Sequence, residues 1–518
     1  MRKKLDKYKK VVLYGVGAKS YNIYKILRIS GYSIAYCVVT NGNVEESDFE
    51  DVKVYPFMKK KDEIVRQGYQ LVIAVGVNYE KDIIKNIKDN GINEFWTRSD
   101  MPWNVDFEKY KDLDTKGYLS IIKTKYLSNI DEYKKNDEIR NFVNKGIKKE
   151  VNNKKILFLL LHITVRAYKI INALHKRGYV VDIIIWMNSM RLTDKTCDEY
   201  SRISEHCILS CDSEEIMMYC AATNAKILHI FSHADTDLAL SQVLVNGKGV
   251  FPKIVFDEYD VYTEMRNFAS EQIVSAELFC LKNADGLCNR YTCMEYLEEK
   301  GYEICKNRIY FMDCCSDDTS YISPKKSESD DLNLVYAGTV FSDETYEGMR
   351  CSRFLELGEL CKKKQVHLHL YPIPYNQARL SAYIAAEKEN PYLHIHCPVS
   401  SYKLPQEISK YDYGITSATS DFLLYGDIVH TVAACSYCAV NKLFDYLEAG
   451  IPIISIFPTE QAKIFERDGV LIRKADEEID FDELRQRRNE MKKRVVEVRD
   501  KYRVSNQLPK LIEFYDSL

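Results

Sequence analysis

The sequence predicts an α/β protein of doubly wound parallel sheets, a smaller unit standing in front of two larger ones. Three observations lead there. Short apolar runs such as "VVLYGVG", "ILFLLL" and "IPIISIF" alternate with amphipathic stretches closed by glycine, the strand–helix–strand rhythm of a parallel sheet covered on both faces. That rhythm restarts near residue 154 and again after residue 331. At 518 residues the chain is too long for one core, so several domains are required.

The first unit, residues 1–103, contains the strands "VVLY", "SIAYCVV", "VKVYP" and "LVIAVG", a helix in "SYNIYKILRISGY", another near 80–90 and a last strand around "NEFW". Its first turn reads Gly15-x-Gly17-x-x-Ser20, half of a dinucleotide fingerprint, in which glycines let backbone approach a phosphate at a helix N-terminus. Serine replaces the third glycine, and Asn41 stands where an acid would hold a ribose 2′-hydroxyl, so NAD is disfavoured. Residues 104–153 are rich in Lys, Asp and Glu and read as a helical connector, with "NNKK" as the hinge. The second unit, 154–322, follows with "KILFLLL", "VVDIIIW", "AKILHIFSH", "PKIVFDEYD" and "ADGLCN". The third, 323–518, has "LNLVYAG", "VHLHLYP", "LHIHCP", "YDYGIT", "IPIISIF" and "GVLIR", then a charged helical tail that packs back as a strap. Units two and three should face one another across a cleft.

A content of 46% hydrophobic and 29% charged residues with a formal charge of −3 is that of a globular protein with no overall attraction to nucleic acid. Its apolar runs are too short to span a bilayer. Sixteen cysteines without a recognisable leader favour reduced thiols and a cytoplasmic location, with peripheral contact at the inner face of the membrane as the nearest approach to lipid. The pairs Cys435–Cys438 and His394–Cys397 lack the second pair that a four-ligand zinc site needs, and no metal is expected. His367, His369, His394 and His396 alternate along two strands and read as packing on one face.

The stretch "NKLFDYLEAGIPIIS", Asn441–Ser455, carries the chemistry. Leu443, Phe444 and Leu447 form an apolar stripe, and Asn441, Asp445 and Glu448 form the opposite one. The helix start, with Lys442, suits an anion, and Asp445 one turn on could accept two vicinal hydroxyls of a ribose. Gly450 ends the helix and Pro452 opens a buried strand. The histidines His233 and His162 and the acids Asp257, Glu258 and Asp260 lie at strand ends of the second unit. A general base drawn from the three acids would suit an inverting transfer to a hydroxyl.

This stretch resembles the nucleotide-binding helix of GT-B glycosyltransferases, in particular family four. The segments "LLLHITVRAYKIINALHKRGYVVDIII", "AKILHIFSHADTDLAL", "KIVFDEYDVY", "LNLVYAGTVF" and "YDYGIT" are similar to that family's in the same order, over about 155–515. "VLYGVGAKS", "YCVVTN", "VKVYP" and "LVIAVG" resemble the small Rossmann-like domains that precede bacterial polysaccharide enzymes. The resemblance implies two facing Rossmann-like domains behind a third. It implies a UDP- or GDP-sugar as donor with no further cofactor, and a glycan, lipid-linked or protein acceptor. Gly338, Thr339, Asn441, Lys442, Asp445 and Glu448 would line the donor site, and His233 and Asp260 would serve catalysis, with retention as the family's course. The chain departs from the pattern at three places. Tyr437 stands where the family has an acid, and neither Gly338-Thr339 nor Glu347-Gly348 carries the usual cation. Lys442, Arg350, Arg353 and His430 are the nearest replacements for a diphosphate partner. A non-catalytic, sugar-nucleotide-binding frame is the alternative reading.

Overall fold

The structure, a computed structural model, describes residues 5–6, 8–17, 20, 23–24, 27–28, 32–40, 47–75, 77–97, 100, 150–186, 194–210, 213–233, 236–265, 270–290, 293–318, 331–340, 354–372, 380–397, 399, 403–416, 436–437, 439–455, 459–473 and 479–518. Most of the expected connector, together with Asn41, Arg350, Arg353, His430, Cys435, Cys438 and the Glu347-Gly348 pair, lies outside them.

Three sheets form, as the apolar runs require. In the first unit β1 (Val11–Tyr14), β2 (Ile34–Val39), β3 (Ser47–Phe49), β4 (Val52–Pro56) and β5 (Gln70–Ile73) lie in the order β3-β4-β2-β1-β5, with only β3 antiparallel to its neighbour. The expected strand around Trp96 is a single bridge to Val72. The middle unit has β6 (Asn152–Leu160), β7 (Val180–Trp186), β8 (His206–Ser210), β9 (Ala225–Ser232), β10 (Lys253–Glu258), β11 (Gly286–Asn289) and β12 (Arg308–Tyr310), ordered β12-β11-β10-β9-β6-β7-β8. The C-terminal unit has β13 (Leu332–Gly338), β14 (Val366–Pro372), β15 (Leu393–Ile395), β16 (Tyr413–Ile415), β17 (Ile453–Ser455) and β18 (Leu471–Arg473), ordered β15-β14-β13-β16-β17-β18. Every pairing in these two sheets is parallel. Three helices bear on the site: α1 (Glu271–Asn283) of the middle unit, α2 (Asn441–Ala449) of the C-terminal unit and the terminal α3 (Val504–Ser517).

Two boundaries differ from the sequence reading. "NNKK" is the start of β6 and not a hinge, because Asn152 already pairs with Ala225. The terminal helix α3 returns to the middle unit instead of staying with the C-terminal one. There Tyr515 Oη bonds His229 Nδ1 at 2.6 Å, and Phe514 covers Gly286 so closely that a Cβ at Gly286 would meet its ring at 2.6 Å. The chain crosses between the two larger units near 315 and near 503. The crossings are bonded together, Cys315 N–H to Tyr502 O at 2.9 Å and Val504 N–H to Cys315 O at 3.0 Å. Among the described residues no helix is long and apolar enough to cross a membrane.

The four alternating histidines do pack on one face, with His369 opposite His394 in the β14–β15 register. Asn333 donates its amide to Asp412 at 3.4 Å, which leaves its carbonyl oxygen to accept His369 Nε2–H at 3.1 Å. His369 Nδ1 is then a lone pair, and His396 Nε2–H donates to it at 3.0 Å. His367 Nδ1 and His394 Nε2 are linked likewise at 2.9 Å. Such N–H···N bonds need one bare nitrogen per pair. Burial, then the neighbouring imidazoles, hold His369 down to about 2; His394 is lowered for the same reasons, and His396 by burial, then Lys410 and His394. In the unfolded chain these three take up protons near 6.5 and in the folded chain only at lower pH, so their contribution to stability is complete above that pH and falls below it. The unfolding midpoint should drop between about pH 7 and pH 5 in thermal melts. His369→Gln should cost stability at pH 7 yet flatten that acid limb.

Candidate functional site

Both larger sheets turn their strand C-termini toward a common seam, where open parallel sheets place ligands. On the C-terminal side the seam is shaped by α2. Leu443, Phe444, Tyr446 and Leu447 are buried against the sheet, and Gly450 closes the helix at φ 75°. Tyr446 fixes the seat: its ring lies over Gly414, where a Cβ would come within 2.3 Å, and its hydroxyl donates to Ile415 O at 2.8 Å.

The polar residues of α2 divide their tasks. Lys442 donates to Tyr336 Oη at 3.2 Å and lies over that ring, with its Nζ 3.2 Å from where a Cβ on Gly338 would stand. Gly338, at φ 153°, therefore lets a cation approach the backbone closely at the end of β13. The neighbouring Thr339 is held by its carbonyl, which accepts from Tyr336 Oη at 2.9 Å. Asp445 is half-buried, and no described residue donates a hydrogen bond to it. Burial pushes its carboxyl up to about 7, opposed by Lys169 and reinforced by Glu448 and Asp313.

Asn441 and Glu448 point to the middle unit instead. Asn441 is hydrogen-bonded to Tyr259 Oη and to the Arg290 guanidinium. Glu448, expected on the donor side, is almost fully buried; its Oε2 accepts from Lys169 Nζ at 2.5 Å and Ser316 N–H at 3.0 Å. That carboxylate binds the two units together rather than facing Gly338. A groove of about 100 Å³ runs along the same seam, lined by Lys169, Asn172, Lys176, Asp317 and Glu448 among others.

Across from α2 the middle unit gathers His162, His233, Tyr259, Asp260 and Tyr262. His233 Nε2 is 3.8 Å from Asp260 Oδ2, its Nδ1 is 3.4 Å from Tyr262 Oη, and its ring meets that of His162 edge-on at 4.4 Å. His233 and Asp260 thus fall in one cluster as expected, at the ends of β9 and β10. Asp257 does not join them. It pairs with Arg166 at 2.5 Å and His229 at 3.2 Å in the interior, where Cys288 also lies. That group, like Asp182, Glu205 and His206 around Lys155, has its ligand atoms close together but already surrounds a cation of the chain.

Arg290 and Arg166 were not singled out by sequence. Arg290 follows β11, lies 4.0 Å over the Tyr259 ring, and donates to Asp313 at 3.1 Å and to Ala439 O at 2.6 Å. The only local signal was an arginine directly after a strand end, in "GLCNR". In the first unit the Gly15 turn closes on Ser20. The Ser20 hydroxyl donates to Ala74 O at 2.6 Å and accepts Gly17 N–H at 3.1 Å, so one of the amides a phosphate would use is already engaged.

No family model matches the chain, and no curated protein matches it. Solved structures similar in outline include a putative UDP-N-acetylglucosamine 2-epimerase from Listeria monocytogenes, at 12% identity, covering 71% of this chain and 96% of that one, TM-score 0.45. Others are the lipopolysaccharide outer core galactosyltransferase WaaB in its apo form (12%, 70% and 99%, TM-score 0.46) and Anabaena Alr3699/HepE in complex with UDP (11%, 70% and 100%, TM-score 0.49). At such identities and scores they say nothing of the reaction of this chain.

Removing one partner of a buried ion pair strands the other, at a cost of about 3–5 kcal/mol. Glu448→Ala should lose that much in denaturant unfolding, and pairing it with Lys169→Met should recover most of the loss.

Proposed function

We propose that the chain is a glycosyltransferase that moves a sugar from a nucleotide-sugar donor, UDP- or GDP-linked, to a hydroxyl of a glycan, lipid-linked or protein acceptor. Bacterial surface polysaccharide or glycoconjugate synthesis is the setting that the sequence resemblance implies. The observation that carries this reading is Asp445, a half-buried carboxyl with no hydrogen bond from the described residues, one turn from Lys442, which lies against Gly338. A carboxylate can take both hydroxyls of a ribose, while Lys442 and the positive end of the helix dipole favour a diphosphate.

Transfer makes a bond from the acceptor oxygen to the anomeric carbon and breaks the bond from that carbon to the diphosphate oxygen. Charge grows on the diphosphate, where Lys442 and the helix dipole act. The acceptor proton passes to the His233–Asp260 pair, or to the leaving phosphate on the retaining course the resemblance implies. Seating both substrates at one seam supplies the orientation.

Asp445→Asn should raise the Kd for UDP or GDP about tenfold or more in calorimetry, since a charged acceptor of two hydroxyls is lost. Binding draws on the ionised acid, so wild-type affinity should climb as pH rises through about 7, relative to the variant. Unchanged affinity in the variant would refute the assignment. The second reading, a binding frame without turnover, is favoured by Thr339 standing where the family places an arginine. Slow donor hydrolysis without acceptor separates the two, because only a working transferase shows it.

A further inference from the structure

Two acids buried beside the His233 cluster have no part in the chemistry above. Glu258 ends β10, and Glu277 sits in the middle of α1, both out of contact with water. Glu277 accepts Tyr262 N–H on Oε1 at 2.6 Å and Thr263 N–H on Oε2 at 2.5 Å. Both oxygens of Glu258 are buried and neither receives a donor from the described residues, and Glu277 is the acid whose charge acts on it most strongly. Two neighbouring carboxyls withdrawn from water cannot both ionise without large cost. Glu277 has two N–H groups to stabilise a negative charge and Glu258 has none. The proton therefore belongs on Glu258.

We propose that Glu258 and Glu277 share one proton and act as a positioning pair, anchoring the 259–263 turn and so setting Tyr259, Asp260 and Tyr262 against His233. The turn is otherwise held at its start by Tyr259 N–H to Ser232 O at 2.7 Å, and it ends at Glu264 in a left-handed conformation, φ 59°. Without Glu277 the amides of Tyr262 and Thr263 would lose their acceptors in the interior. The turn carries Tyr259, which touches Asn441 and Arg290, so the pair also sets how the middle unit meets α2. The other titratable groups facing Glu258 are Cys280 on α1 and Asp260 on the turn. Burial and the Glu277 charge keep Glu258 protonated well above the usual carboxyl range, and those two neighbours act in the same direction. In the unfolded chain Glu258 ionises near 4.3, so the folded state keeps a proton that the unfolded state releases, and this site loses stability as pH rises above that value.

The role in catalysis rests on the transferase reading, whereas the shared proton does not, and the test separates them. Full-length wild type, Glu258→Gln and Glu277→Gln are compared by thermal unfolding from pH 5 to 9 and by amide exchange. The side-chain amide introduced by E258Q keeps a donor toward Glu277 without an ionisable proton, so the gap in midpoint between E258Q and wild type should widen in the variant's favour as pH rises. In E277Q exchange at Tyr262 and Thr263 should quicken about tenfold or more, as charge-assisted bonds are lost. In wild type alone, protection of those two amides, corrected for intrinsic rate, should fall from pH 7 to 9. Parallel pH slopes in wild type and E258Q would overturn the shared proton. Unchanged protection in E277Q, or pH-independent protection in wild type, would overturn the anchoring. If the pair behaves as stated and E277Q lowers the transfer rate with donor Kd unchanged, the positioning role stands; an equal rate removes it. Wild type that hydrolyses no donor while the pair behaves as stated defeats the transferase reading alone.

Discussion

Charged groups withdrawn from water must be matched, and that constraint organises the seam between the two larger units. Lys169 and Arg290 come from the middle unit, Glu448 and Asn441 from α2, and Asp313 and Ser316 from the crossing segment. Each satisfies partners on a different element. No one unit holds a complete set, so the groups are matched only when the units sit in this arrangement. The bonded crossings at Cys315 and Val504 and the return of α3 onto the middle unit then hold the frame.

Within that frame α2 works on two sides. Tyr446 over Gly414 sets its depth, which leaves Asn441 and Glu448 to the neighbouring unit and turns Lys442 toward Gly338. Asp445 is left between these contacts, close enough to Lys169 to feel its charge yet without a hydrogen bond from the described residues. A polar group so placed is costly in the free protein and well suited to a ligand that brings hydroxyls. On the facing side the turn after β10 presents Tyr259, Asp260 and Tyr262, and its backbone is tied down by an acid from α1 rather than by its own sequence.

Much of the fold was legible because buried parallel strands must be apolar on both faces. "ILFLLL", "VVDIIIW" and "LNLVYAG" announce themselves. Two strands did not: β8 alternates buried and half-buried residues over five positions, and β12 has three residues, none of them buried. Of the candidate site, Lys442, Asp445, His233 and Asp260 stand out in the sequence by helix spacing, strand ends and resemblance. The partner of Glu448 does not, because periodicity tells which side of a helix a residue occupies and not what stands opposite. Arg166 and Arg290 look in the chain like ordinary surface arginines, and only their burial distinguishes them.

The sequence by itself determined three α/β units, the apolar seat of α2 and the glycine that ends it. These follow from local periodicity and backbone stereochemistry, which neighbouring residues decide. Only the tertiary structure decided which acid is left without a donor among the described residues, which is locked in an ion pair and which is buried beside a second acid. Those outcomes depend on desolvation and on the charge of groups hundreds of residues away, as with Lys169 and Glu448, 279 positions apart in the chain and 2.5 Å apart in space.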